Sequence, residues 1–572
     1  MSSYDRKPTK VIPIKNGEAY CGWEAISNTL KTKLSGDKWT LVVECYPGTD
    51  EKAMEELVSS FAPKSVIRTK DLLKDQETLN TLLRPILTDD RVFGRMYYGT
   101  LEDFWDSAKV TVAKEQVATA EETVLVIGFG ASLIASGDLN LLLDINRWEI
   151  QLRYRKGMSN YFTDNPQEDT LRKYKQGYFL EWRIADKVKY DAFFWMDYFV
   201  DMNITEKPSM ISRDLFHQAL EKDANEPFRV VPYFDPGVWG GQWMKDKCNL
   251  DSNMSNYAWS FDGVPEEDSL RFLFGDVTVE MPAQNLVLLK PKAVLGEKPY
   301  ARFGAEFPIR FDFLDTIDGQ NLSLQVHPVT EYIHKNFGMS YTQDESYYIL
   351  DAKEDACVYL GLTEDCHLPT MIEELEAANR GEKLFEAEKY INVFPAKKHD
   401  HFLIPAGTCH CSGRNAMVLE ISATPYIFTF KLWDWGRLGL DGKPRPVHIN
   451  HGKHVIQDYR RTEWVKENLV NVTKVIEENN SYKEEHTGLH GLEFIETRRF
   501  TISKEAEISC HESVNVLNLV EGETCIVQSI DGSFSDFKVH YAETFIIPAS
   551  VGKYRLVADQ GEVKVLQAYV RC

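Results

Sequence analysis

The hydrophobic pattern of this chain changes period near residue 226, and that change limits the available folds more than any other feature. Before it, apolar runs alternate with amphipathic stretches. "WTLVVECYPGTDEKAMEELVSSF" reads as a buried strand, a Pro-Gly turn and a helix, and "ETVLVIGFGASLI" and "LNLLLDI" are further buried-strand candidates. Such alternation predicts an α/β domain with a mostly parallel sheet over residues 1–225. From "PFRVVPYFDPGVWGGQWMK" onward, short period-two stretches such as "ACVYLGL", "HFLIPAG" and "MVLEISA" are punctuated by Gly, Pro and Asp, the texture of an all-β sandwich or barrel. "TMIEELEAANRG" interrupts these strands as a helix, and the polar stretch "EENNSYKEEHTG" at 477–488 reads as a hinge. The expected domains are therefore 1–225, 226–480 and 481–572.

At 572 residues the chain exceeds one ordinary core. With 43% hydrophobic and 27% charged residues it has the composition of a folded globular protein. A formal net charge of −22 argues against a nucleic-acid partner, because a polyanion would be repelled. No stretch approaches the roughly 18 uninterrupted apolar residues of a membrane span, and the first residues lack an apolar signal core, so no membrane partner and a cytoplasmic location are expected. The 10 cysteines include no CxxC pair and do not suggest a disulfide framework. Alternation in a strand sends Cys409 and Cys411 to the face opposite His410, so "CHC" does not converge on one ion.

One constellation stands out. In "LSLQVHPVTEYIHKNFGMSYTQDESYYIL", Gln325 and His327 are two apart in a strand pattern and point the same way, and Glu345 opens the next apolar run. Farther on, "HDHFLIPAGTCHCSGRN" sets His410 just past a Pro-x-Gly turn. A barrel that brings these strands together would face one amide oxygen, two imidazoles and one carboxylate toward a common point. Mixed N/O ligation of that kind suits Zn²⁺ or another first-row divalent ion. The alternative for each residue alone is a satisfied core histidine or a solvated strand end.

"LSLQVHP", "ESYYILDA" and "PAGTCH" also resemble the metal-site motifs of type I phosphomannose isomerases, which are zinc-dependent cupins. The resemblance extends to "VVPYFDPGVWGGQWMKDKCNL", "FPIRFDFLD" and "MVLEISATPYIFTFKLWDWGRLGLDGKPRP", and so covers residues 226–572. It implies a jelly-roll cupin with a second, metal-free cupin unit at the C-terminus, where "ETFIIPASVGKYRL" has Tyr554 and no nearby histidine. It further implies Gln325, His327, Glu345 and His410 as ligands of one Zn²⁺, Glu420 as a pocket carboxylate, and interconversion of mannose 6-phosphate and fructose 6-phosphate through an enediol. Glu420, with Asp434 behind it, is the candidate for handling the proton, and Lys431 and Arg437 are the candidates for the anionic end of the sugar.

The chain departs from the family's cationic pattern at three places. Gln343 stands where the family has a lysine two residues before the metal glutamate, Asp312 replaces a lysine of the preceding strand, and Lys431 replaces an arginine. These losses favour an alternative in which the same cupin isomerises a neutral or different sugar. A second alternative is a non-catalytic sugar sensor or scaffold. The N-terminal region resembles a degenerate P-loop, kinase-like fold. "VVECYPGTDEK" has the strand, turn and helix order but lacks the remaining Walker residues, Lys52 being followed by Ala53, and "GFGASL" lacks the third glycine of a dinucleotide fingerprint. A structural or regulatory role is expected for it.

Overall fold

A computed structural model describes residues 3–14, 17–423, 428–440, 442, 445–488, 490–491 and 493–571. The chain divides into two compact units. One comprises Met1–Pro8, Asp223–Asp268 and Pro291–Cys572, the other Thr9–Lys222 and Ser269–Lys290. The polypeptide therefore crosses between them four times.

The second unit is α/β. Its seven-stranded sheet has the order Ala19–Cys21, Ser209–Ser212, Tyr198–Asp201, Leu139–Asp144, Thr40–Cys45, Val124–Gly128, Ser65–Arg68. The five strands from Tyr198–Asp201 to Ser65–Arg68 are parallel, with Thr40–Cys45 at their centre. "LNLLLD" is buried at every position, as a central parallel strand covered on both faces requires. The turn after Thr40–Cys45 opens the helix Glu51–Ser59, where Asp50 caps the helix by accepting from the Ala53 amide at 3.0 Å.

The segment Ser269–Lys290, which the sequence pattern puts among the later strands, folds with this α/β unit. Ser269–Phe274 pairs with Val277–Pro282 as a hairpin and, on its other edge, runs parallel to Lys10–Ile12. Polar contacts fix it there: Glu280 N–H donates to Asp201 at 2.8 Å, Asn146 to Glu280 at 2.9 Å and Asn285 to the buried Asp144 at 2.8 Å. A hairpin carries no local signal of which distant sheet it joins.

The first unit holds two β-sandwiches. In the earlier one, a six-stranded sheet (His401–Ile404, Glu345–Ala352, Ala416–Ser422, Arg310–Asp315, Trp259–Phe261, Tyr233–Asp235) is accompanied by a five-stranded sheet (Ile391–Pro395, Cys357–Leu362, His410–Ser412, Leu324–Val326, Phe430–Trp433). The helix Leu368–Asn379 lies between two strands of the second sheet in sequence. The later sandwich, from Lys474 to Val570, has six and four antiparallel strands around a core that includes Phe500, Leu517, Phe545 and Leu556. Inside it, Gln567 donates to Asn515 Oδ1 at 2.7 Å and the Tyr554 hydroxyl donates to the same oxygen at 3.1 Å, all three side chains being buried.

The polar stretch 477–488 is not a hinge. It forms the hairpin Lys474–Glu478 and Tyr482–Gly488 on the edge of the six-stranded sheet. Asn479 makes the turn by accepting from the Ser481 and Tyr482 amides at 2.8 and 3.1 Å. Two of its four acidic residues are neutralised across the strands, Glu485 by Arg499 at 2.9 Å and Glu484 by Arg498 at 2.5 Å.

The first residues of the chain strap this unit together. The Tyr4 hydroxyl donates to Asp262 at 2.9 Å and the Asp5 amide to Glu543 at 2.7 Å. Between them lies Arg229, which pairs with Glu543 at 2.7 Å and donates to the carbonyls of Asp5 and Thr544 at 2.9 and 3.0 Å. Asp262, Arg229 and Glu543 are all buried, so the ions depend on one another for solvation.

Candidate metal centre

The two sheets of the earlier sandwich supply opposite halves of one site. Gln325 sits on Leu324–Val326, directly opposite His410 in antiparallel register, and His327 follows the same strand. Glu345 opens its strand in the other sheet. Among the described residues, His327, Glu345 and His410 form the one group of His, Cys, Asp or Glu side chains whose ligand atoms converge, all within 4.8 Å, and all three are buried.

The geometry is that of a donor set turned inward. His327 Nε2 lies 3.0 Å from Glu345 Oε2, and His410 Nε2 lies 2.8 Å from Glu345 Oε1. The Gln325 amide approaches His410 Nε2 to 3.1 Å, and its oxygen and nitrogen exchange by a half-turn. Both imidazoles have their other nitrogen on a backbone carbonyl, His327 Nδ1 on Phe428 at 2.8 Å and His410 Nδ1 on Thr408 at 2.9 Å. A carbonyl only accepts, so each ring carries a proton on Nδ1 and turns Nε2 inward, the nitrogen that would give up its proton to bind a metal. His327 Nε2 and Glu345 Oε1 are buried yet aligned for no hydrogen bond among the described residues. Two imidazole nitrogens, a carboxylate and an amide, with orphaned atoms at their centre, fit a first-row divalent ion.

Burial alone would raise the Glu345 carboxyl, but the facing His327 and His410 imidazoles hold it well below the usual carboxylate range. Burial works to lower the His327 imidazole, and the Glu345 carboxylate overcomes it and raises it above its ordinary value.

Beside the triad, a row of side chains crosses the six-stranded sheet on one face. Asp312 pairs with Glu420 and Glu420 with Tyr347, two residues beyond Glu345. Burial, then the Glu345 and Asp312 carboxylates, push Glu420 well above the ordinary carboxyl range. Asp312 is raised to about 7 by burial, against the opposing pull of Arg310. Asp312 Oδ1 and the Tyr347 hydroxyl also have no hydrogen-bond partner among the described residues.

The other candidates lie along Phe430–Trp433 and after it. Lys431 is opposite Gln325 in the strand register and half-buried. Asp434 is engaged elsewhere: it accepts from Arg437 at 2.6 Å, from Arg445 at 2.8 Å and from Ser323 at 2.8 Å. Three donors around one carboxylate make it a structural anion and not a second proton handler. Arg437 is held between Asp434 and the Asn321 carbonyl at 2.7 Å. Tyr347, Arg310 and Arg445 were not singled out in the sequence. The period-two spacing from Glu345 pointed to Tyr347, whereas the partner of Asp434 had no local signal.

In the α/β unit, both glycine-bearing turns are filled by the chain itself. A side chain at Gly48 would meet Ile150 at 2.8 Å, and Arg153 donates to the Gly48 carbonyl at 2.9 Å. The amides of Gly130 and Ser132 donate to the buried Glu44 carboxylate at 2.6 and 2.8 Å, an internal anion where a nucleotide loop would present amides to phosphate.

The chain is similar to several known proteins at low identity. Mannose-6-phosphate isomerase ManA of Bacillus subtilis is 25% identical over 343 residues, which is 58% of this chain and 96% of the relative. The mannose-6-phosphate isomerase of Streptococcus mutans is 24% identical over 233 residues, 40% of this chain and 68% of the relative. The curated relatives it matches are mannose-6-phosphate isomerases. Among solved structures, the Bacillus subtilis mannose 6-phosphate isomerase matches at 19% identity and a TM-score of 0.49, covering 60% of this chain and 100% of that one. A phosphomannose isomerase variant of Salmonella typhimurium matches at 13% identity and a TM-score of 0.45, covering 60% and 100%. The family profile that matches residues 22–225 is described as a domain of unknown function (DUF8485). No helix among the described residues is long and apolar enough to cross a membrane.

Proposed function

We propose that the protein is a metal-dependent aldose–ketose isomerase that interconverts mannose 6-phosphate and fructose 6-phosphate through an enediol. The convergence of His327, Glu345 and His410 in a buried site carries this reading, and the names of the relatives support it. A bound Zn²⁺ or similar ion supplies an electrophile for the sugar's carbonyl and for charge developing on its oxygens. The rest falls to the chain's own side chains. Glu420, adjacent to the triad and raised well above the ordinary carboxyl range, holds and releases the proton that moves between neighbouring carbons. Lys431 receives the phosphate, and Arg437, already bonded to Asp434 and the Asn321 carbonyl, stands behind it. The α/β unit has a structural or regulatory role.

Glu420→Gln keeps the shape of the side chain and removes the base. Turnover falls by about 10²–10⁴-fold while stoichiometric metal is retained, read as loss of proton exchange at the sugar's second carbon in heavy water.

Asp312, a carboxylate in the row beside the triad, favours a second reading in which the same site takes a neutral sugar. Turnover of mannose 6-phosphate and free mannose, measured on chelator-stripped protein refilled with Zn²⁺, separates the two. Zinc-restored activity on the phosphate ester alone supports the first, and it requires Lys431→Ala to raise KM for that ester sharply. Activity on free mannose alone, indifferent to Lys431→Ala, supports the second.

A further inference from the structure

We propose that Gln343 is a positioning residue that fixes, through one amide group, two metal ligands contributed by opposite sheets. The inference rests on the metal reading above and adds a residue to it. Gln343 lies two positions before Glu345 and is buried. Its Nε2 donates to Glu345 Oε2 at 2.9 Å, and its Oε1 accepts from the Phe428 amide at 2.9 Å. Phe428 in turn accepts at its carbonyl from His327 Nδ1 at 2.8 Å, and His327 Nε2 lies 3.0 Å from Glu345 Oε2. The four groups close a ring.

Each link of that ring removes a freedom. The Phe428 amide can only donate, so it dictates which end of the Gln343 side chain faces Glu345. The Nε2–H group then holds Oε2 of the carboxylate and leaves Oε1 as the atom without a hydrogen bond. The same Phe428 peptide, anchored at its nitrogen, presents the carbonyl that sets the tautomer and plane of His327. One side chain thereby orients a carboxylate on the six-stranded sheet and an imidazole beside the five-stranded sheet.

Only a group with both a donor and an acceptor can do this. Lysine at 343 could donate to Glu345 but offers no acceptor to the buried Phe428 amide. Glutamate could accept from Phe428 but would set a second carboxylate against Glu345. The exchange of a cation for Gln343 is therefore a gain of ligand orientation as well as a loss of charge.

The test is metal binding by the full chain, measured with Zn²⁺ against a competing chelator and with the visible spectrum of the Co²⁺-loaded protein. Gln343→Ala binds Zn²⁺ about 10–100-fold more weakly than the unaltered protein and shows altered Co²⁺ bands. Gln343→Lys, which keeps one of the two bonds, falls between them and serves as the reporter if the alanine variant does not fold. Unchanged affinity and unchanged bands in the folded variants overturn the proposal, since a merely structural role would lower the unfolding temperature without moving the spectrum. An unaltered protein that binds neither ion would overturn the metal reading itself, a different failure.

Discussion

The His410→Ala protein holds no stoichiometric zinc and turns over sugar phosphate at least on the order of 10²–10³-fold more slowly than the unaltered chain. His410 bridges the site's parts: it sits opposite Gln325 in the strand register and 2.8 Å from Glu345 on the other sheet. Its loss leaves Glu345 Oε1 with no group to balance it in a buried site, so supplying more metal restores little. Metal content by elemental analysis and kinetics on the refilled protein read the result. His367→Ala, at an exposed helix cap, is the control that leaves both unchanged. Full zinc and full activity in His410→Ala would sink the proposed centre.

Arg229→Ala destabilises the first unit by about 3–5 kcal/mol, because it strands buried carboxylates without their shared cation. The side chains of Arg229 and Glu543 are 3% and 1% exposed and 2.7 Å apart, and Asp262 lies 3.9 Å from the same guanidinium. Burial already raises Asp262 to about 6 with Arg229 in place, which pulls the other way. Amide hydrogen exchange in the strand Thr544–Ile547 accelerates by on the order of 10²–10⁴-fold, at about 1.4 kcal/mol per factor of ten. Following with Glu543→Gln recovers part of the loss, since removing both charges spares the uncompensated one. Exchange unchanged in Arg229→Ala would show the ion cluster to be energetically silent.

Much of the site was legible because it obeys strand alternation. Gln325 and His327 share a face at a spacing of two, Glu345 begins the next apolar run, and a Pro-x-Gly turn delivers His410. The same rule, carried one step either way from Glu345, reaches Gln343 and Tyr347. The family resemblance marked Gln343 only as a lost cation, because the Phe428 amide it holds is 85 residues away and is not a side chain. Asp434 shows a related effect: a carboxylate beside a pocket motif looks available in the sequence, and Arg437 and Arg445 are found on it.

The fold divides along the same line. Parallel strands such as Leu139–Asp144 declare themselves by unbroken apolar runs, and the change of period near 226 separates the α/β texture from the β texture. The hairpin Ser269–Phe274 and Val277–Pro282 has the second texture and joins the first unit in sequence but the α/β unit in space, since pairing with Lys10–Ile12 spans some 260 residues. Charge runs misled in the opposite direction. The stretch 477–488 reads as solvated linker until Arg498 and Arg499 of the next strand are set against its glutamates.

The strap has a consequence for how the molecule is made. Tyr4 and Asp5 leave the ribosome well before their partners Asp262 and Glu543, which lie 258 and 538 residues later. The α/β segment 9–222 can collapse during translation, while Asp5 must wait until Glu543 has emerged. Closure of the first unit therefore has a long loop to close, and residues 4 and 5 become native only after Glu543 has been made.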